Sequence, residues 1–198
     1  MSEDRLRRWL EEEHELLERR REAEARAATG ARAARDPASF ASRPGIDLLQ
    51  AMLAGELAQA PMAQTLEYLL IEVQPGRAVF QGRPRAHHYN PLGSVHGGWF
   101  ATLLDSAVGC AVHTTMPPGK GYTTLELKVN MVRALTEKVS RVRAEGRTVH
   151  VGSQIATAEG RLIGPDGKLY AHATTTCLVF DLPSGTVRVP AGGRQADG

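Results

Sequence analysis

The chain has 198 residues, 42% of them hydrophobic, and a formal net charge of +2 at pH 7. That length fits one domain with an extension. The interspersed charges give little support for nucleic-acid binding, and no stretch has the apolar length of a membrane span. Cys110 and Cys177 form neither a C-x-x-C pair nor a metal-ligand pattern. We therefore expect no metal. The N-terminus lacks the apolar core of a secretory signal, which predicts a protein of the reducing cytoplasm.

The first 60 residues are predicted to be an N-terminal helical extension and linker. A highly charged helix is predicted over residues 2 to about 28. Its apolar side chains are Leu6, Trp9, Leu10, Leu16 and Leu17. They span about two heptads, whereas a sustained coiled coil needs three or four. This pattern indicates a docking helix or a partly frayed arm, and a chain without residues 1–35 is expected to stay folded and active. Residues 29–45 are typical of a linker, and 46–57 of a short amphipathic helix.

The remaining chain switches to strand character. Strands are predicted at 65–74, 77–83, 122–133, 137–148, 150–163 and 168–181. Turn signals lie between them, at Pro75-Gly76 and at Pro165-Asp166-Gly167. A long helix among antiparallel strands predicts an α+β fold in which the sheet wraps the helix. We expect this domain to span 61–183 and to be followed by a flexible C-terminal tail at 184–198.

The most informative segment runs from Asn90 to Asp105 and reads N-P-L-G-S-V-H-G-G-W-F-A-T-L-L-D. A loop rich in glycine and proline leads directly into an apolar helix predicted over 99–113. Asp105 is the only formally charged residue of that helix, and a carboxylate is rarely buried unless it is paired or functional. The simpler alternative is that Asp105 only bonds a nearby hydroxyl group.

Gly97 and Gly98 lie where first-turn N–H groups lack helical partners and the helix dipole is positive. Such a backbone suits an anion or a developing oxyanion, although two glycines also suit a tight turn. Gly97 and Asp105 are eight residues apart, about 12 Å along a helix. One helix therefore cannot place both groups on the same carbonyl. Two antiparallel helices across a two-fold axis could do so, which predicts a dimer with shared active sites.

These residues carry a family resemblance. The run His88-x-Asn90-x-x-Gly93-x-x-His96-Gly97-Gly98, followed by Asp105 and Gly109, resembles that of the hotdog-fold acyl-CoA thioesterases. It is most similar to the phenylacetate-degradation (PaaI-like) type. The resemblance continues through G-Y-T-T-L-E-L-K-V-N-M, A-E-G-R and D-G-K-L-Y-A-H-A-T-T-T, and it covers about residues 61–181. It implies a hotdog fold and acyl-CoA hydrolysis by a homodimer or a dimer of dimers. CoA would enter as part of the substrate, with no other cofactor.

The resemblance also implies roles for single residues. Asn90 and the Gly97 N–H would polarise the thioester carbonyl. Asp105, from the partner subunit, would act as a general base on water or as a nucleophile. Thr123 would hold the attacking water or the carboxylate. On the residues alone, Asn90 could instead be a turn residue and Thr123 a strand residue chosen for its β-propensity.

His96 and Gly98 belong to the same H-G-G motif and are implied to shape the loop and contact the substrate. Two further functions share this fold. A 3-hydroxyacyl thioester dehydratase or hydratase would pair a histidine with an acidic residue, as His96 and Asp105 superficially allow. A non-catalytic acyl-CoA sensor would use the same pocket without turnover. The H-G-G arrangement and Thr123 favour the thioesterase. The acyl chain length is not readable from the sequence.

Overall fold

A computed structural model describes residues 2–28 and 41–182 of the chain. The helices are α1 Ser2–Ala28, α2 Gly45–Leu53, α3 Pro61–Thr65 and α4 Gly97–His113. The strands are β1 Tyr68–Gln74, β2 Arg77–Gly82, β3 Lys120–Met131, β4 Val142–Val151, β5 Ile155–Ile163 and β6 Leu169–Asp181. Residues 29–40 of the predicted linker and the predicted tail at 184–198 lie outside the described residues. The domain boundaries at 60 and 183 stay predictions.

The strands form one six-stranded antiparallel sheet in the order β1-β2-β4-β5-β6-β3. The helix α4 contacts all six strands. The predicted α+β fold, with the sheet wrapped around a long helix, is therefore confirmed. The edge strand β3 pairs with β6 from Lys120↔Asp181 to Met131↔Ala171. Within the described residues, the other edge of β3 has no strand beside it, which leaves a template for pairing with another strand.

Glycines in the sheet allow α4 to approach it closely. A Cβ atom at Gly146 of β4 would lie 2.2 Å from the carbonyl oxygen of Ala107. A Cβ atom at Gly160 of β5 would lie 2.8 Å from Val108. Beside these contacts, Leu103 and Leu104 are completely buried. The helix therefore has one rotational setting, which decides which of its residues face β3.

Several predicted boundaries are wrong, and the strands predicted to start at 137 and 150 start instead at Val142 and Ile155. Thr65 ends α3 instead of starting β1. The predicted helix at 46–57 ends already at Leu53, shortly before Gly55 adopts a φ of +79°. The predicted break at Val149 is absent, because β4 continues to Val151 with a register shift between Thr148 and His150. Such a bulge interrupts the two-residue alternation without ending the strand, so the sequence pattern looked like a break.

The helix α1 docks on the face of the sheet opposite α4. A Cβ at Gly82 would touch Leu103 and Trp99, so Gly82 faces α4 and its neighbour Gln81 faces away. The Gln81 Nε2 donates to the Trp9 carbonyl at 3.2 Å and to the Glu13 carboxylate at 2.7 Å. Of the two interpretations offered by the sequence, the docking helix is the one that the structure supports.

Charged and aromatic contacts complete this interface. The Arg143 guanidinium lies 4.4 Å from the centre of a Trp9 ring and forms an ion pair with Glu12. The Arg141 guanidinium donates to both carboxylate oxygens of Glu13, at 2.5 and 3.0 Å. Arg143 lies in β4 and Arg141 directly before it, far from α1 in the sequence. Deletion of residues 1–35 would remove these contacts of Arg143. We therefore expect the deletion to destabilise the remaining domain, in contrast to the expectation from the sequence.

Leu16 tests the docking of α1, because it is 1% exposed whereas Leu10 on the same helix is 39% exposed. We expect Leu16→Ala to lower the free energy of unfolding by about 2–5 kcal/mol, since it removes buried methyl groups and leaves a cavity. Leu10→Ala should cost well under half of that. Urea unfolding of both variants measures the difference, and equal small losses would mean that α1 does not pack on the sheet in solution.

Candidate active site

The N-terminus of α4 leaves one donor free. His96 caps the helix, and its Nδ1 accepts the Gly98 N–H at 2.9 Å. The Trp99 N–H donates to the His96 carbonyl at 3.0 Å. Within the described ranges, the Gly97 N–H has no acceptor. The structure thus separates the two predicted glycines: Gly97 offers a donor to a ligand, whereas the Gly98 N–H is used by the cap.

The side chain of Met131 lies against Gly97. A Cβ atom at Gly97 would lie 2.8 Å from both Sδ and Cε of Met131. Met131 ends β3 and is 51% exposed. A flexible thioether therefore lies beside the start of α4. Sequence reasoning missed Met131, because only the register of β3 against α4 brings the two residues together.

Asn90 organises the loop before α4. Its Oδ1 accepts the N–H groups of Leu92 at 2.9 Å and Ser94 at 3.4 Å. Its Nδ2 donates to the Ser94 hydroxyl at 3.3 Å, which uses one of the two amide hydrogens. The turn role considered for Asn90 is therefore present in the structure. The second Nδ2 hydrogen has no acceptor in the described part of the chain, so Asn90 can hold the loop and still donate.

Asp105 lies midway along α4 and is half-buried. Its Oδ1 accepts the Thr124 hydroxyl at 3.2 Å. The hydroxyl group bonded to this carboxylate is that of Thr124, whereas the sequence pointed to Thr123 as the residue that would hold the attacking water or the carboxylate. Tyr122 packs against Gly109 and so faces α4, as does Thr124 two residues later. Thr123 falls between them, is exposed, and faces the opposite side of the sheet. Because residues 123 and 124 are both threonine, the sequence did not show which of the two faces α4.

The groups around Asp105 are neutral at pH 7. Burial raises the pKa of the Cys110 thiol to about 12, and the Asp105 charge adds to this rise. Burial also raises the pKa of the Tyr122 phenol well above its ordinary value. No Lys, Arg or His of residues 2–28 and 41–182 forms an ion pair with Asp105. The carboxylate is thus held by a hydroxyl group and keeps oxygen lone pairs for a proton.

One chain does not unite the two halves of the predicted site. Asn90, His96 and Gly97 lie at the start of α4, and Asp105 with Thr124 lies about 12 Å further along the helix axis. The face of α4 that the sheet leaves partly exposed carries small side chains around Asp105. They are Ala101, Thr102, Ser106 and Cys110. This face and the free edge of β3 are adjacent, because Thr124 of β3 contacts Asp105.

Residues 2–28 and 41–182 contain no group of three or more His, Cys, Asp or Glu side chains that could hold a metal ion. No helix in the same residues is both long and apolar enough to cross a membrane. Both cysteines are free thiols.

Comparisons with known proteins match the part of the chain that contains these site residues. A thioesterase superfamily model matches residues 92–171, and the model of a domain of unknown function matches residues 49–123. Two curated relatives, named only provisionally as esterases, are each 32% identical. The Halobacterium salinarum protein matches 43% of this chain and 56% of its own length. The Pseudomonas aeruginosa protein matches 48% of this chain and 64% of its own length.

Solved structures extend the likeness to 60–66% of this chain. A point mutant of the phenylacetic acid degradation protein PaaI of Thermus thermophilus is 30% identical, with a TM-score of 0.54 over 60% of this chain and 98% of that chain. A Ralstonia eutropha protein related to phenylacetic acid degradation, named only provisionally as a thioesterase, is 29% identical, with a TM-score of 0.60 over 66% of this chain and 98% of that one. Proteins of the PaaI-like type are among its structural neighbours. The chain has the hotdog fold and belongs to the thioesterase superfamily.

Proposed function

We propose that this protein is an acyl-CoA thioesterase of the cytoplasm, which hydrolyses an acyl-CoA thioester to the free acid and CoA without a metal or organic cofactor. One observation carries the proposal: the free Gly97 N–H and the hydroxyl-held Asp105 carboxylate lie on a single helix. A donor for a developing oxyanion and a base for water are the two groups that thioester hydrolysis needs. The two free thiols are in keeping with a reducing compartment.

The proposed reaction uses the N-terminus of α4 from one subunit and the middle of α4 from its partner. The thioester carbonyl accepts hydrogen bonds from the Gly97 N–H and the Asn90 amide of one subunit. A water molecule attacks the carbonyl carbon while Asp105 of the partner subunit takes its proton. The tetrahedral intermediate then collapses, the carbon–sulfur bond breaks, and the leaving CoA thiolate takes up the proton held by Asp105, which regenerates the carboxylate. The Thr124 hydroxyl fixes the orientation of the carboxylate throughout. A covalent variant, in which Asp105 itself attacks, uses the same arrangement and differs only in the nucleophile.

Two surfaces support assembly of this site from two chains. The free edge of β3 is 12 residues long, and pairing with the β3 of a second copy would continue the sheet. A two-fold axis through that pairing would make the two α4 helices antiparallel. The small side chains beside Asp105 allow the helices to approach closely. The Gly97 end of one helix would then face the middle of the other.

A panel of acyl-CoA thioesters separates this function from the other uses of the fold. Release of free CoA identifies a thioesterase. Loss of water from a 3-hydroxyacyl chain would identify a dehydratase, and binding without product would identify a sensor. Aromatic and aliphatic acyl groups of several lengths belong in the panel, because the acyl preference follows from the assembled pocket.

The first prediction concerns the carboxylate. Asp105→Asn should lower kcat by about 10²–10⁴, because the amide cannot accept the proton of the attacking water. Substrate binding and thermal stability should be nearly unchanged, since the substitution is isosteric and Thr124 keeps an acceptor. Asp181→Asn, on an 83% exposed side chain at the end of β6, is the matched control. Near-normal CoA release by the Asp105 variant would remove this residue from the mechanism.

The second prediction uses the adjacent threonines as an internal control. Thr124→Val removes the hydroxyl that donates to Asp105 and keeps the β-branched shape. We expect it to lower kcat about tenfold, the effect of a misplaced catalytic group. Thr123→Val lies on the other face of β3 and should leave kcat within about twofold. Steady-state assays of both variants decide between them, and a larger loss from Thr123→Val would restore the original assignment.

The third prediction tests the shared site. Asn90→Ala and Asp105→Asn are mixed under conditions that exchange subunits. In a mixed dimer one site receives both defects and the other receives neither. Equal amounts give about half mixed dimers with one intact site each, so roughly a quarter of wild-type activity should return. If exchange is verified by mass spectrometry and no activity returns, Asn90 and Asp105 serve one site from the same chain.

A further inference from the structure

His88 is a buried histidine that is bonded through only one of its ring nitrogens. It ends the short 3₁₀ turn Ala86–His88 and is 6% exposed. Its Nδ1 accepts the Arg85 N–H at 3.2 Å. Its ring stacks on Trp99 of α4, with 5.3 Å between centroids and 29° between planes. In the described residues, its Nε2 has no hydrogen-bond partner.

These contacts fix the protonation state of the ring. A ring nitrogen that accepts a hydrogen bond carries no hydrogen, so the proton of the neutral imidazole is on Nε2. A buried donor without an acceptor destabilises the fold. An apolar side chain would fill the same space without that cost. What it could not supply is the acceptor at Nδ1, so this acceptor is the useful property of His88.

The backbone of His88 joins the two parts of the carbonyl-binding end. The His88 carbonyl accepts the His96 N–H at 2.8 Å, which closes the loop that contains Asn90. His96 is the cap whose Nδ1 takes the Gly98 N–H and leaves that of Gly97 free. Asn90 follows His88 by two residues. A rotation of the His88 peptide would therefore displace Asn90 and the cap together.

We propose that His88 is a positioning residue, which as a neutral Nε2–H imidazole holds the Asn90 loop against the cap of α4 and releases both when it is protonated. The link to catalysis rests on the proposed function, in which Asn90 and Gly97 bind the thioester carbonyl. Protonation would place a hydrogen on Nδ1, opposite the Arg85 N–H, and would break the bond that orients the ring.

Burial and the neighbouring basic groups together oppose the protonation of His88. Burial lowers the pKa of His88 most, the neighbouring His87 and Arg85 lower it further, and Glu67 opposes them. Glu67 is engaged by the Arg85 guanidinium at 2.8 Å. Because the pKa of the folded state lies below the unfolded value near 6.5, His88 stabilises the loop above that pH. This stabilisation is lost as the pH falls through the lower pKa of the folded protein.

Two amide substitutions distinguish the two ring nitrogens. His88→Asn places an oxygen acceptor near the position of Nδ1, and His88→Gln places one near Nε2. We expect His88→Asn to keep kcat at pH 7.5 within about threefold, and His88→Gln to lower it about tenfold with little change in KM, because the misplaced loop weakens transition-state contacts. His87→Asn is the matched control, since His87 is an exposed neighbour that bonds no backbone N–H and should leave kcat unchanged.

A second readout does not depend on activity. Long-range ¹H–¹⁵N correlation spectra of the full chain should show a neutral Nε2–H imidazole at pH 7.5, with the signal missing in both His88 variants. The protection factors of the His96 and Gly98 amides, which correct for the intrinsic pH dependence of exchange, should be high in wild type and His88→Asn at pH 7.5, and lower in His88→Gln and in wild type at acid pH. An Nδ1–H tautomer, or equal behaviour of the two variants, would overturn the proposal. If wild type releases no CoA from any thioester, the proposed function fails, and these spectra still decide the role of His88.

Discussion

The close packing of α4 against the sheet is the constraint on which the rest of the structure depends. Gly146 permits this distance, since any side chain there would meet the carbonyl of Ala107. With the backbone so near, the helix cannot roll without driving Leu103 or Leu104 into the strands. Its fixed rotation puts Gly97 beside Met131 and Asp105 beside Thr124. A half-buried carboxylate is thus held at the border of the core by packing that involves other residues.

The opposite face of the sheet is covered by α1 through a different set of interactions. The helix α1 contributes two well-buried apolar side chains, Trp9 and Leu16, together with the carboxylates of Glu12 and Glu13, which form ion pairs with Arg143 and Arg141. Burying a guanidinium is costly unless its hydrogen bonds and charge are met. The Arg143 side chain satisfies this with Gln81, Glu12 and the Trp9 ring. Charge pairing fixes where α1 sits, while the α4 side supplies most of the apolar burial. Contacts on one face of the sheet therefore position α1, and contacts on the other face set the geometry of the candidate active site.

The sequence predicted what local pattern controls and missed what register controls. The apolar spacing of α4, its glycine-rich start and the isolated Asp105 were visible, and so was the family that contains them. The choice between Thr123 and Thr124 was not, because two adjacent threonines give the same residue type on both faces of a strand. The sequence did not predict the ion pairs of Arg141 and Arg143 either, because their partners lie more than a hundred residues earlier in the chain. His88 appeared only as a letter in a motif, and its one-sided bonding required the three-dimensional structure.

The loop, the cap and the helix form one continuous path to the donor that the proposed chemistry needs. The Nδ1 of His88 holds the turn, its carbonyl holds the N–H of His96, and the His96 ring takes the N–H of Gly98. Each bond satisfies a backbone group that would otherwise compete for a ligand. The Gly97 N–H is left at the positive end of the helix dipole, where an oxyanion gains most. Asp105 lies about 12 Å further along α4, so the proposed mechanism takes its base from a second chain. The separation of Gly97 and Asp105 along one helix is therefore the reason why the proposed mechanism requires a dimer.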